Sequence, residues 1–389
     1  MTQRKILFVE SGVHEGGSFK SLEKHISALD RTQVEPVVVF FNDNGLIKKL
    51  QDQDIKVFLV HDNVFSKESS KIYLFGNAFF MKGLLRFGVI KFLQLLHHSS
   101  ITSLVKICVS ERIEFVHLNT ELFRDRIGLL VAARLKIPVI SHLRSKYQIG
   151  SIFFSKEYIK FANRVVTKYV AVSNDTANFW INEVGVDKSK TKVLYDYYES
   201  VNVPESSASK KEDGNLNFVC VANLVPVKAH DFLLKSLAPT LKATKANLLL
   251  VGKGDTNYTA KLKDLVNELG VSHSVKFLGF RTDVPQILSN ADIVFLLSKR
   301  EGLPNILIEA LGAGKIVVAS KVGGIPEIIQ NNETGFLVTY GDENEVRNIV
   351  QKLIRREVDL EMIEENARSK TRNMFSIDEY KKIITSLYE

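Results

Sequence analysis

Two doubly wound α/β domains facing a cleft, each a parallel sheet with helices on both sides, are the fold this sequence predicts. Length is the first reason, since 389 residues exceed what one core ordinarily holds. The second is patterning: short continuous apolar runs of strand length alternate with helical stretches, as in sheets buried on both faces. The third is a break, "ESVNVPESSASKKEDGN" from Glu199 to Asn215, where Ser, Lys and acids replace the apolar rhythm.

In order, the first series of runs is Lys5 to Ser11, Val37 to Phe41, Ile55 to Val60, Phe115 to Asn119, Pro138 to Arg144, Tyr169 to Ser173 and Lys192 to Tyr195. The second is Phe218 to Leu224, Asn247 to Gly252, Val275 to Phe280, Asp292 to Ser298, Ile316 to Ser320 and Gly335 to Thr339. The expected division is 1–200, a linker at 201–215, and 216–372. A terminal helix at 373–389 has Ile377, Tyr380, Ile384 and Leu387 near one face. That helix packs on either domain as far as pattern goes, the first included.

A composition 45% hydrophobic and 25% charged is that of a soluble globular protein. The formal charge of +8 favours anionic partners such as phosphates, nucleotides or an anionic membrane. Cys108 and Cys220 form neither a CxxC nor a zinc pattern, which points to a reducing compartment. "MTQRKILFVES" enters a strand too soon for a signal-peptide core, so a cytoplasmic location is expected.

The chemistry concentrates in "SKREGLPNILIE", Ser298 to Glu309. A strand ends, a loop carries Arg300, Glu301 and Gly302, and Pro304 suits the first residue of a helix. Ligands of open α/β sheets sit at the carboxyl ends of strands, where helix N–H groups suit phosphate. Asn305 and Glu309 share a helix face, and a carboxylate there accepts two hydrogen bonds from a vicinal diol. Taken alone, Glu301 and Glu309 read first as solvated or capping acids. Lys228 follows the strand that begins the second series, and "VGKGD" with Gly252 and "KVGGIPEII" end two more strands at the same edge.

These motifs resemble the nucleotide-sugar-dependent glycosyltransferases of family 4, which have the GT-B fold. The resemblance runs from about Phe218 to Leu337: the acids Glu301 and Glu309 at E-x7-E spacing, Lys228 in "NLVPVK", the "GKGD" turn, "GAGKIVVASKVGGIPEII" and "ETGFLV". It implies a retaining transferase whose donor is a nucleotide diphosphate sugar and which needs no metal cofactor. Lys228 would neutralise the diphosphate, Glu309 would hold the ribose hydroxyls, and Glu301 would contact the transferred sugar. Backbone amides around Leu303, Pro304, Asn305 and Ile306 would take sugar hydroxyls or phosphate. Asn223 stands where many members have an arginine, and Ala229 where they have a glycine, so Arg300 is a candidate second cation.

In the first half, "ESGVHEGGSFKSL" looks like the family's glycine-rich first loop, with Gly16 and Gly17 letting a helix start approach the diphosphate or the acceptor. His142 matches the histidine that relatives place near the reacting carbon, and also reads as a core or surface histidine. Arg144 would meet an anionic acceptor, and His117 and Asn119 end the neighbouring strand. Asp52 and Asp54 have the letters of a metal-binding Asp-x-Asp but precede a strand, at the wrong edge for a ligand.

From Ser69 to Ser110 there is no Asp or Glu, while Lys82, Arg86 and Lys91 interrupt an aromatic-rich run. This basic apolar segment, 69–110, suits an interfacial helix against anionic lipid, or a core helix whose lysines reach out to water. The expected partners are a nucleotide sugar, a glycan or lipid-linked acceptor and the inner face of the cytoplasmic membrane, in polysaccharide or lipopolysaccharide synthesis. The alternatives are a nucleotide-sugar epimerase of the same fold and an inactive membrane-associated sensor. No nucleic-acid-binding module is recognisable.

Overall fold

The computed structural model describes residues 3–11, 17–42, 47–62, 88–146, 152–199 and 216–389, and for residues 152–155 the backbone alone. Gly16, Lys82, Arg86 and the expected linker at 201–215 lie outside the described residues. The chain forms two compact units, Met1–Asp196 with Asp378–Glu389, and Tyr197–Ile377.

In the first unit the strands are β1 (Arg4–Glu10), β2 (Val34–Phe40), β3 (Lys56–Leu59), β4 (Phe115–Leu118), β5 (Val139–Leu143), β6 (Val166–Ala171) and β7 (Thr191–Val193). All pair in parallel, in the order β3-β2-β1-β4-β5-β6-β7. The helices between them are α1 (Gly17–Ala28), α2 (Ile47–Gln51), α3 (Val89–Leu96), α4 (His98–Glu111), α5 (Arg126–Leu135), α6 (Ile152–Val165) and α7 (Asn174–Phe179).

Side chains alternate across a strand, so each strand serves two cores. Leu7, Val9, Val37, Val39, Val116, Leu118, Val139 and Leu143 belong to one buried cluster. Their neighbours Ile6, Phe8, Val38, Phe40, His117, Ile140 and His142 occupy the other face and are also buried. α1 covers this second face, with Phe19 against Phe40 and His25 against Phe8.

The second unit contains β8 (Asn217–Val221), β9 (Asn247–Val251), β10 (Val275–Gly279), β11 (Ile293–Leu296), β12 (Ile316–Ser320) and β13 (Phe336–Val338). Their order is β10-β9-β8-β11-β12-β13, again parallel. Its helices are α8 (His230–Ala243), α9 (Thr256–Glu268), α10 (Val284–Ser289), α11 (Asn305–Gly312), α12 (Ile325–Ile328), α13 (Glu343–Ile354) and α14 (Leu360–Met374). The last helix, α15 (Ile377–Leu387), returns to the first unit, and the return falls at Ile377/Asp378 rather than near 372.

In each sheet the strand order reverses once, between β1 and β4 and between β8 and β11. Such reversals open a crevice beyond the carboxyl ends of the strands, because the two following loops turn away from each other. Asp52 and Asp54 lie ahead of β3, away from that edge.

The described part of the basic apolar segment is two helices, α3 and α4, that part at His97. The buried His97 ring lies 2.9 Å from Asp62 Oδ2 and accepts from Arg126 Nε at 3.0 Å. Lys91 is exposed and Leu95 is 58% exposed on α3, while Val89, Phe92 and Leu93 are buried. Among the described residues no helix is long and apolar enough to cross a membrane.

Candidate functional site

The reversal in the second unit is built from the loops after β8 and β11. They are stitched together by the Lys299 N–H, which donates to Val227 O at 2.9 Å. Across this junction Lys228 Nζ meets Glu301 Oε1 at 2.6 Å, the two side chains being 25% and 8% exposed. A cation and an acid thus stand at the point where an open sheet receives its ligand.

Two neighbouring turns hold that pair. Gly252 has φ 151°, and a Cβ there would lie 2.1 Å from Ala222 O, so the "GKGD" turn presses directly on the backbone after β8. The Leu224 N–H donates to Lys253 O, and that of Asp255 to Leu224 O, fixing the two loops edge to edge. On the other side Gly323 has φ 59°, and a Cβ there would lie 2.0 Å from Glu301 O. The Gly324 N–H donates to Gly302 O at 2.8 Å.

Helix starts differ around the sheet. Asp255, Asp342 and Asp359 cap α9, α13 and α14 through their side chains. α8 and α11, which begin at the reversal, take no side-chain cap, and the short α10 and α12 lack one as well. A helix start without a carboxylate cap keeps its positive end available to an anion.

Ala229, immediately before α8, is fully buried with φ 49° and ψ 45°. A Cβ in this left-handed region costs about 1–2 kcal/mol, which glycine avoids. Ala229→Gly is therefore expected to stabilise the protein by about 1 kcal/mol. A raised urea midpoint at unchanged slope would show it, whereas a lowered midpoint would mean the methyl's packing outweighs the strain.

In the first unit the reversal is lined by buried polar groups. Glu10 accepts from Asn119 Nδ2, and from Thr120 Oγ1 at 2.8 Å. Asp125 accepts from Ser11 Oγ at 2.6 Å and from the Thr120 N–H at 2.7 Å. Burial first, then the nearby Glu10 carboxylate, push Asp125 well above the usual carboxylate range. Arg144 donates through Nε to Asn119 O at 2.7 Å and through Nη2 to Asn119 Oδ1 at 2.8 Å. Its Nη1 lies 3.8 Å from Asp196 Oδ1, and Asp196 also accepts from Ser21 Oγ.

Residues 203–370 match the family model described as glycosyl transferases group 1. That stretch is a group 1 glycosyltransferase domain, and the chain is a glycosyltransferase. Over 265 residues it is 27% identical to the N-acetyl-alpha-D-glucosaminyl L-malate synthase of Bacillus anthracis, covering 67% of this chain and 68% of that protein. Over 356 residues it is 25% identical to the UDP-Gal:alpha-D-GlcNAc-diphosphoundecaprenol alpha-1,3-galactosyltransferase of Escherichia coli, covering 84% and 88%. Anabaena HepE, solved in complex with UDP and glucose, superposes with a TM-score of 0.80 at 23% identity, covering 99% of each chain. The two parallel-sheet units are those of GT-B glycosyltransferases.

The glycosyltransferase brings Lys228 and Glu301 together, with Gly252 and Gly302 in the turns beside them. Asn223 is half-buried in the bend after β8, and Arg300 is exposed. Pro304 stands one place ahead of α11, with the extended φ −80° and ψ 110° of a cap residue, rather than within the helix. Leu307, Ile308, Ala310 and Leu311 bury the core side of α11, whereas Leu303, Asn305, Ile306 and Glu309 are half-buried. Gly17 opens α1 and is exposed.

His117 and His142 are fully buried, and their rings bond to each other rather than standing at a surface. Arg144 and Asn119 are joined to one another. Sequence reasoning placed Tyr380 only on the apolar face of the terminal helix, and passed over His25 and Tyr388, which complete this cluster with it, and over Glu10 and Asp125. A carboxylate directly closing the apolar run "ILFVE" was the available signal for Glu10.

Proposed function

We propose that this glycosyltransferase moves a sugar, with retention at the anomeric carbon, from a nucleotide diphosphate sugar to a glycan or lipid-linked acceptor in cell-surface polysaccharide synthesis. The observation that carries this is the Lys228–Glu301 pair at the β8/β11 reversal, beside the uncapped starts of α8 and α11. Lys228 and the helix starts would stabilise the departing diphosphate, and Glu309 would hold the ribose diol. Glu301 would release Lys228 to the phosphate and turn to a hydroxyl of the transferred sugar.

In this reading the bond from the anomeric carbon to the phosphate oxygen breaks as the acceptor oxygen bonds on the same face, and the phosphate takes the acceptor's proton. The side chains then need only position and stabilise charge, without a nucleophile or a metal. The acceptor is assigned to the first unit. A lipid-linked acceptor is supported by the diphosphoundecaprenol substrate named for the E. coli relative. Exposed Lys91 and Leu95 on α3 support a peripheral position at the inner membrane face.

The test is a panel of nucleotide sugars incubated with the purified protein and a membrane extract, without added metal, following nucleotide release. Release that needs one donor and the extract together is expected. Release without any acceptor would point instead to hydrolysis or epimerisation, and tight donor binding with no release would leave a sensor.

A further inference from the structure

Three buried histidines of this protein have partners on both ring nitrogens. His25 lies between Tyr380 and Tyr388, His117 between Tyr388 and His142, and His97 between Asp62 and Arg126. His230 does not follow them. It is fully buried as the first residue of α8, yet among the described residues nothing bonds to its Nδ1 or its Nε2. Both nitrogens are sealed from solvent, so water does not stand in for a side chain. A buried imidazole in this state bears the full desolvation cost of a donor and an acceptor.

Neighbouring side chains do not account for the ring either. Tyr258 presents its ring at 67° with the centroids 6.4 Å apart, but its hydroxyl donates to Asp231 Oδ1 at 3.0 Å. His230 shares a helix face with Leu233, Leu234 and Leu237, which belong with Cys220 of β8 to the core of the second unit. The Lys228 charge acts on both His230 and Cys220, and the Glu301 charge acts on Cys220 too. The unpaired ring thus stands at the end of that core nearest the Lys228–Glu301 pair. Directly before it, Ala229 is held in the left-handed region at φ 49°. Two consecutive residues are therefore unfavourable in the free protein, and such costs gather where a ligand is bound.

Burial, with the Lys228 ammonium adding to it, pushes His230 down to about 4 against the opposing pull of Asp231. The ring is neutral at pH 7, with one N–H to give and one bare nitrogen. Beside a lysine, the partner that suits this N–H is an anionic oxygen. A phosphate presents several such oxygens, enough for ammonium and imidazole together.

We propose that His230 is a phosphate-binding residue of the donor site, its ring N–H turning to an oxygen of the nucleotide diphosphate that draws Lys228 away from Glu301. The inference rests on the transferase reading above, and adds a neutral donor to the ammonium and the helix starts.

Calorimetric titration of the full chain with UDP, GDP, ADP and CDP tests it. His230→Phe fills a similar space without polar atoms and is expected to bind the preferred nucleotide about tenfold more weakly than the wild type. Its urea midpoint should lie at or above that of the wild type, because no buried polar group is left unpaired. His230→Gln, which keeps an N–H, should recover most of the affinity. Wild-type affinity in His230→Phe overturns the proposal, and so does a variant that loses affinity and midpoint together, since the ring then serves the fold. Nitrogen-15 NMR of the wild-type ring needs no variant to fold: a His230 N–H proton moving downfield as the preferred nucleotide is added supports the contact, and one unmoved at saturation overturns it. A wild type that binds none of the four nucleotides removes the donor site of the transferase reading and His230 with it, whereas equal binding by wild type and His230→Phe removes His230 alone.

Discussion

Lys228→Ala is expected to lower kcat for sugar transfer by about 10²- to 10³-fold, the loss typical of removing one group aimed at developing charge. The effect has two parts. The ammonium that would meet the departing diphosphate disappears, and Glu301, only 8% exposed, is left facing the donor as an unbalanced negative charge. Adding Glu301→Gln to the alanine variant removes that second part, so donor binding should partly recover while turnover stays low. Steady-state nucleotide release and donor titration read the two quantities separately. A Lys228→Ala enzyme with wild-type turnover would remove this residue from the diphosphate site.

Gly323→Ala is expected to reduce kcat/KM by at least about 10²-fold, although residue 323 would touch no substrate. At φ 59° the added methyl carries the left-handed penalty, and it would also sit 2.0 Å from Glu301 O, which is backbone and cannot rotate aside. The loop after β12 must therefore move away from Gly302, or Glu301 must shift and lose Lys228. Either displacement is about an ångström at the centre of the site, the scale at which positioning is lost. Stability should fall by about 2–4 kcal/mol, read as a lower urea midpoint. A variant that is destabilised but fully active would show that the glycine serves the fold and not the geometry of Glu301.

The strands were legible because a parallel sheet buried on both faces must be apolar at consecutive positions, and "ILFV", "VVVF" and "IVVAS" admit little else. Strand ends were legible too, since glycine, lysine and acid interrupt those runs at the same edge. What one sequence does not carry is pairing over distance. Lys228 and Glu301 were each assigned to a ligand, whereas they bond to each other across 73 positions. His25 sits in "GSFKSLEKHISA" among polar residues and looks like a surface position. It is buried because a helix far along the chain covers it and supplies Tyr380, 355 residues away. Pro304 was placed one residue late because its fixed φ is compatible both with a first helical turn and with the residue before it.

The return of α15 has a consequence for the order in which the protein is made. β1 through β7 leave the ribosome first, yet the second face of their sheet still lacks Tyr380 and Tyr388, and Arg4 and Lys168 lack the carbonyls of Tyr388 and Ser386 to which they donate. Residues 197–377 must all be synthesised before those partners arrive. At about 5–20 residues per second the growing chain spends roughly ten to forty seconds with buried-to-be imidazoles open to water. The domain that begins first is thus the one completed last, and a chain cut short anywhere in its second half is marked by an unfinished first one.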